Sequence, residues 1–316
     1  MDAELTTLLE SLQRNFKSHM PNERVDDTDI FWTPVELVKT SFPEKKSSNK
    51  RWLKEFGYYS LNLQQLEEGR SVPYGMMARE IFDYFFNNFV VNHNQGKVNP
   101  NKFYFSSTAE FVNLVKGNTL GTKVSTDQRV LALEMLLNIE SCAIRFKQTI
   151  SSDETISNNN FFIREYRGPA HKKVAGSPST VTNGQIEVEL DYETFYKLAS
   201  SKKVPTKSYL VDLAGSSVTA RDLIIFIASQ CYSLVKRNKA YIDYPYSDLN
   251  QILGKSEGTQ IKDFNKDLKR ALNVLSKNYE KLFPYDFFPA ELISISRGNL
   301  QLRIHKPKSE KNILCA

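Results

Sequence analysis

Between Thr259 and Tyr279, cationic and polar side chains recur on one side of a helical pattern while large apolar ones occupy the other. Ile261, Phe264, Leu268, Leu272 and Leu275 follow 3–4 spacing, which directs them to a core. Gln260, Lys262, Lys266, Lys269, Arg270 and Lys277 are left for the outer surface. Gln and Arg match the hydrogen-bonding edges of adenine and guanine, and Lys chiefly holds phosphates. A helix so equipped suits a DNA major groove. The plainer reading is a solvated helix face, and Asp263 and Asp267, at i, i+4 spacing, compete for some of the cations. Arg297, Arg303, His305, Lys306 and Lys308 extend the positive charge onto two strands that turn at Arg297-Gly298-Asn299. A second candidate set, Thr126, Gln128 and Arg129, opens the pattern Ser125–Ile139, which then becomes apolar and is a weaker reader. Its helix N-terminus suits a phosphate, with Arg145, Lys147 and Arg164 on the strands that follow. A structural or protein-contact role for this set is equally open.

Other chemistries lack their residues. Gly254-Lys255-Ser256 resembles the end of a phosphate-binding loop, but that loop needs Gly five residues before Gly254, where Leu249 stands. His19, His93, His171 and His305 are scattered, without the paired spacing that a metal-dependent nicking enzyme requires. Cys142, Cys231 and Cys315 give neither a disulfide framework nor a metal motif. The expectation is a binding protein without catalysis, metal or cofactor.

The elements that must position these residues fall into two blocks. In the first, Phe56–Leu63 reads as a strand, Gly75–Asn92 as a buried helix, Lys102–Ser106 as a strand, and two capped helices follow through Val115 and Ile139. Cys142–Thr149 and Asn160–Arg167 then alternate at period two. The order recurs in the second block: a strand at Gln185–Leu190, a short helix, the apolar helix Thr219–Arg237, a strand at Tyr241–Tyr244, helices from Tyr246 and Thr259, and a terminal hairpin. Helix, strand, helix, helix and β-ribbon is the winged-helix order. The expected fold is therefore α+β, tandem winged-helix domains with an N-terminal helical extension. The boundaries are 1–50 for the extension, with an amphipathic helix (Leu5, Leu8, Leu9, Leu12, Phe16) and a solvated linker from Phe42; 51–168 for the first domain; 169–183 for a linker; 184–308 for the second domain; and 309–316 for a tail. The N-terminal helix is a candidate for a partner or for packing on its own domain.

Charge is unevenly placed. From Gly184 onward 20 Lys and Arg face 15 Asp and Glu, whereas the first 183 residues hold 22 against 21. The basic surplus lies with the better reading helix, as phosphate contact requires. No run approaches 18 apolar residues and the start is acidic, so a soluble, cytoplasmic protein without membrane contact is expected.

Tyr58-Tyr59-Ser60-Leu61-Asn62-Leu63, then Val72-Pro73-Tyr74-Gly75 and Arg79, resemble the opening of plasmid-encoded replication initiators of the RepA C-terminal family (RepA/TrfA-like). Val204-Pro205, Ala220, Asp222, Leu249, Gly254, Phe264, Leu268, Ala271-Leu272 and Val274 continue the similarity, which spans about residues 51–306. Gln230, Tyr246 and Leu253 depart from the family's usual residues, and Met135 and Asn138 stand where Gln and Arg are usual. The resemblance implies an initiator that binds repeated sites of double-stranded plasmid origin DNA, interconverts between homodimer and monomer, and recruits the host DnaA initiator and replicative helicase. Within the motif, Pro73 and Gly75 are expected to shape the entry to a buried helix and Arg79 to pair internally. The rival readings are a winged-helix transcription regulator, a nicking enzyme and a DNA-free scaffold.

Overall fold

The computed structural model describes residues 30–149, 155–169, 184–253, 260–282, 287–296 and 299–307. The expected N-terminal helix, most of the 169–183 linker, Arg297, Lys308 and the tail lie outside the described residues. The chain runs β1 (Ile30–Pro34), α1 (Val35–Lys39), β2 (Arg51–Phe56), β3 (Tyr59–Gln65), α2 (Gly75–Asn94), β4 (Lys102–Phe105), α3 (Thr108–Val115), α4 (Thr126–Glu140), β5 (Cys142–Thr149), β6 (Thr155–Phe161), β7 (Ile163–Arg167) and β8 (Ile186–Leu190). It continues through α5 (Tyr192–Ser200), β9 (Lys203–Lys207), α6 (Ser208–Asp212), α7 (Val218–Arg237), β10 (Tyr241–Pro245), α8 (Tyr246–Ile252), α9 (Ile261–Leu282), β11 (Ala290–Ser296) and β12 (Asn299–His305). This is a mixed helix-and-sheet protein with two hydrophobic cores.

The first core gathers around α2, whose Phe82, Phe85, Phe86 and Phe89 are all buried. Phe82 meets Phe162 at 4.7 Å between ring centroids and Phe42 at 5.9 Å, edge-on in the latter case. Such pairs add roughly 0.5–1.5 kcal/mol each beyond the area they bury. Two antiparallel sheets flank this core, one ordered β2-β3-β5-β6 and the other β4-β8-β7. The expected single strand Phe56–Leu63 is divided between two strands of a hairpin. Gly57 has φ of 58°, and Phe56 pairs with Tyr59 across the turn. Strand β8 and helix α5, which open the 184–308 block in the sequence, lie with the first core: β8 bonds to both β4 and β7, and Phe195 and Leu198 pack inside.

The second core is built on α7. This helix is long and apolar enough to cross a bilayer, yet 72% of its apolar window is buried inside the protein. It also carries buried Arg221, Asp222 and Gln230, as an internal core helix can. Against it pack α8, α9 and a sheet ordered β10-β12-β11, so the strand after α7 lies beside the last strand of the terminal hairpin. Tyr244 donates its hydroxyl to Gln230 Oε1 at 2.6 Å, and Asn278 Nδ2 donates to the Leu213 carbonyl at 2.8 Å. These bonds tie β10 to α7 and α9 to the turn after α6.

The N-terminal segment stitches the two cores together. Strand β1 pairs antiparallel with β9, Trp32 opposite Pro205, and the Asn87 side chain of α2 bonds to both backbone groups of Trp32. A two-stranded ribbon tolerates Pro205 because it has no inner strand to disrupt. The expected solvated linker from Phe42 starts inside the protein, with Ser41, Phe42 and Pro43 buried. Here Arg79 of α2 meets Asp222 of α7, Nε to Oδ1 at 2.8 Å and Nη2 to Oδ2 at 2.7 Å. Arg79 also donates to the Phe42, Pro43 and Gly75 carbonyls, and the Ser41 hydroxyl donates to Asp222. A reciprocal pair joins Arg221 of α7 to Asp83 of α2. Burial holds the Arg221 guanidinium below its ordinary pKa, against the raising effect of Asp222.

Gly75 explains its place in the Pro73-Tyr74-Gly75 motif. Its φ is 72°, a left-handed value, and its N–H donates to the Pro43 carbonyl at 2.9 Å. Gly75→Ala should lower unfolding free energy by about 1–2 kcal/mol, read by urea denaturation. Asp222→Ala leaves Arg79 buried without its carboxylate and should lower it by about 3–5 kcal/mol in the same assay.

Candidate nucleic-acid interface

Helix α9 is held by one face and exposes the other. Phe264, Leu268, Ala271, Leu272, Leu275 and Tyr279 are buried, and Tyr246 meets Phe264 edge-on at 4.9 Å. Lys262, Lys266, Lys269, Arg270 and Lys277 are all exposed. At 100° per residue these five fall within about 100° of one another, opposite the buried stripe. From Lys262 to Lys277 the stripe spans roughly 22 Å at 1.5 Å per residue. None of the five pairs with a carboxylate among the described residues. Gln260 is exposed just before the helix, and its carbonyl accepts the Phe264 N–H at 3.0 Å. The sequence-predicted cations of this helix therefore come together as one uncommitted face.

The other predicted residues are placed differently. Arg303 on β12 makes two hydrogen bonds to Asp243 of β10, both 2.8 Å, and its guanidinium lies 4.1 Å from the Tyr241 ring centre. Lys306 donates to Asn238 Oδ1 at 2.9 Å, and His305 bonds to Glu291. Arg303 thus braces two strands, and Lys306 is engaged by the residue that caps α7. Arg297 falls outside the described residues.

In the first unit, Ser125 caps α4 and Gln128 completes a capping box, its Oε1 accepting the Ser125 N–H at 3.0 Å. Arg129 donates to the Thr126 hydroxyl at 3.2 Å. All three predicted residues stay at the surface or half-buried, with Gln128 and Thr126 engaged in local bonds. Met135 and Asn138, further along α4, are buried, and Asn138 donates to the Ser71 hydroxyl at 3.1 Å. Those two positions face the core and cannot reach a ligand.

Sequence reasoning passed over one cluster. Lys236, Arg237 and Lys239 are exposed where α7 ends, next to Lys306, and Asn238 between them takes a left-handed φ of 51°. The signal was present as the contiguous run Lys236-Arg237-Asn238-Lys239, a helix C-terminus with a left-handed cap. This cluster sits at the Tyr241–His305 end of the sheet, away from the β11–β12 turn.

No family model and no curated protein matches the chain. Among solved structures it is similar to a crystal structure of selenomethionine derivatives of domains 2 and 3 of RctB, at 14% identity and a TM-score of 0.49, covering 88% of this chain and 99% of that one. It is similar also to a crystal structure of RctB domains 2–3, at 12% identity and a TM-score of 0.46, covering 86% of this chain and 96% of that one.

The Arg303 hydrogen bonds hold the Asp243 carboxyl below its ordinary pKa. A lowered carboxyl pKa stabilises the fold above the unfolded value, about 3.9, and that contribution vanishes as pH falls through the folded value. Wild type should therefore exceed Asp243→Asn in stability at pH 6, and the gap should close below about pH 4, measured by urea denaturation across that range.

Proposed function

We propose that the chain is a DNA-binding replication initiator, with the second unit a winged helix that lays α9 in the major groove. The observation that carries this reading is the stripe of five exposed cations on α9, which pair with no carboxylate among the described residues. The element order from α7 to β12 and the strand order β10-β12-β11 support the winged helix, in which the third helix reads and the hairpin touches the backbone. The first unit repeats the helix order, and the reading extends to a tandem. Its α4 is the weaker reader, because Met135 and Asn138 turn inward and Gln128 serves as a cap.

The resemblance to plasmid RepA-type initiators supplies the finer part of the proposal. The target is then repeated sites in plasmid origin DNA, with recruitment of the host DnaA initiator and replicative helicase and exchange between dimer and monomer in the cytoplasm. The work is binding and not bond making. Phosphate neutralisation by α9 supplies affinity and makes it steeply salt-dependent. Base contacts from Gln260 and Arg270 would add about 1–3 kcal/mol of discrimination each.

Gel-shift titration of origin DNA at 50–200 mM salt tests this. The triple variant Lys266→Gln, Lys269→Gln, Arg270→Gln should lose specific binding, and its residual binding should show a salt slope shallower by about 3. An unchanged affinity in the folded triple variant overturns α9 as the reading helix. Direct repeats beside an AT-rich stretch in the protected DNA distinguish an initiator from a transcription regulator.

A further inference from the structure

On the first unit, away from α9, the chain leaves a groove of about 580 Å³ where it passes from one sheet to the other. Its walls are the end of β3 (Leu66, Glu67), the last turn of α4 (Glu140) and the kink between β6 and β7 (Phe161, Arg164). Backbone bonds fix these walls: Leu66 N–H donates to the Ser141 carbonyl at 3.2 Å, and Asp191 N–H to the Phe162 carbonyl at 3.0 Å. Two large apolar side chains stand open in it, Leu66 at 57% exposure and Phe161 at 41%. Folding alone does not require their exposure together, and apolar side chains gathered in a concave site mark binding surfaces.

The charges around these apolar groups select a partner. Arg164 is paired with Glu189 at 3.5 Å, Glu67 with Arg70, and Asp191 caps α5 through the Thr194 N–H. Glu140 is half-buried and has no hydrogen bond or ion pair from its carboxylate among the described residues. Burial, and then the neighbouring Glu67, raise its carboxyl above the ordinary pKa, against the lowering effect of Arg70, whose own hydrogen-bonded partner is Glu67. A surface of this sign repels phosphates, so it is no extension of a DNA face.

We propose that this groove docks an extended segment of a partner protein in which Lys or Arg alternates with large apolar residues. The cation meets Glu140, and the apolar side chains cover Leu66 and Phe161. Alternation follows from strand geometry, because side chains two apart lie on one side, about 7 Å from each other. Strand β7 is the edge of its sheet and offers backbone groups to such a segment.

The proposal does not rest on the DNA reading, and one experiment separates the two. Full-length chain is titrated, with fluorescence anisotropy, against a labelled octapeptide alternating leucine and lysine and against its leucine–glutamate counterpart. The lysine peptide should bind at least tenfold tighter. Glu140→Gln and Leu66→Ser should each weaken it at least fivefold, with thermal melts and origin-DNA gel shifts unchanged. Leu66 is exposed, so its variant keeps the test informative if Glu140→Gln unfolds. Equal affinity for both peptides, or unaltered lysine-peptide binding in both variants, overturns the proposal. Loss of DNA binding in the unmodified chain would count only against the DNA reading.

Discussion

The buried ion pair between Arg79 and Asp222 is the interaction on which the arrangement of the two units depends. Each charge is nearly inaccessible to water, and each comes from the first turns of the main helix of its own unit. Burying such charges is unfavourable unless every hydrogen-bonding position is met. The chain meets the demand with a third element, the stretch Ser41–Pro43, whose carbonyls and hydroxyl surround the guanidinium. The consequence is specificity of placement. Helices α2 and α7 can shift against each other only by exposing these groups to apolar neighbours, and the Arg221–Asp83 pair makes the same demand in the opposite sense. The relative orientation of the two units follows from chemistry at their contact.

That contact shows where sequence reasoning reaches and where it stops. The α9 face was legible because amphipathic helices declare themselves through local spacing, and Phe264, Leu268, Leu272 and Leu275 lie where the 3–4 pattern puts them, whereas Ile261, directed to the core by the same spacing, is exposed in the first turn of the helix. The order of the longer helices in both halves was legible for the same reason. Arg79 and Asp222 were each noticed as parts of a family pattern, but 143 residues separate them and no periodicity joins them. Phe42 opened a polar stretch that reads as a linker, yet its ring is in the first core. Strand β9 was not read from the sequence: Val204-Pro205 entered only as part of the family pattern, and a proline is compatible with a two-stranded ribbon. Strand β8 was placed by sequence order, whereas it is held by hydrogen bonds to β4 and β7. Long-range pairing was the part that local pattern could not supply.

At the candidate interface the same distinction separates side chains by commitment. Residue type and exposure predicted a common role for Lys266, Lys269, Arg270, Arg303 and Lys306. Partners divide them. Arg303 is clamped on Asp243 and Tyr241 and braces two strands, while the α9 cations have no such partners among the described residues. Gln128 was chosen for its ability to read adenine, but a capping box uses the same amide. A polar side chain near a helix start has this local alternative open to it in any fold, and the Ser-x-x-Gln spacing announces it.

The ribbon formed by β1 and β9 carries a consequence for how the molecule is made. Its strands are Ile30–Pro34 and Lys203–Lys207, with nearly the whole first unit between them. A ribosome adding about 5–20 residues per second delivers the second strand roughly 9–35 s after the first. During that interval β1 has its Trp32 and Phe31 and an open backbone edge but no mate, and Arg79 waits longer still for Asp222. The nascent first unit therefore carries an unfinished seam past the exit tunnel, exposed to chaperones and to other nascent chains. Completion of the seam therefore couples the two halves only after Lys203–Lys207 and Asp222 have emerged.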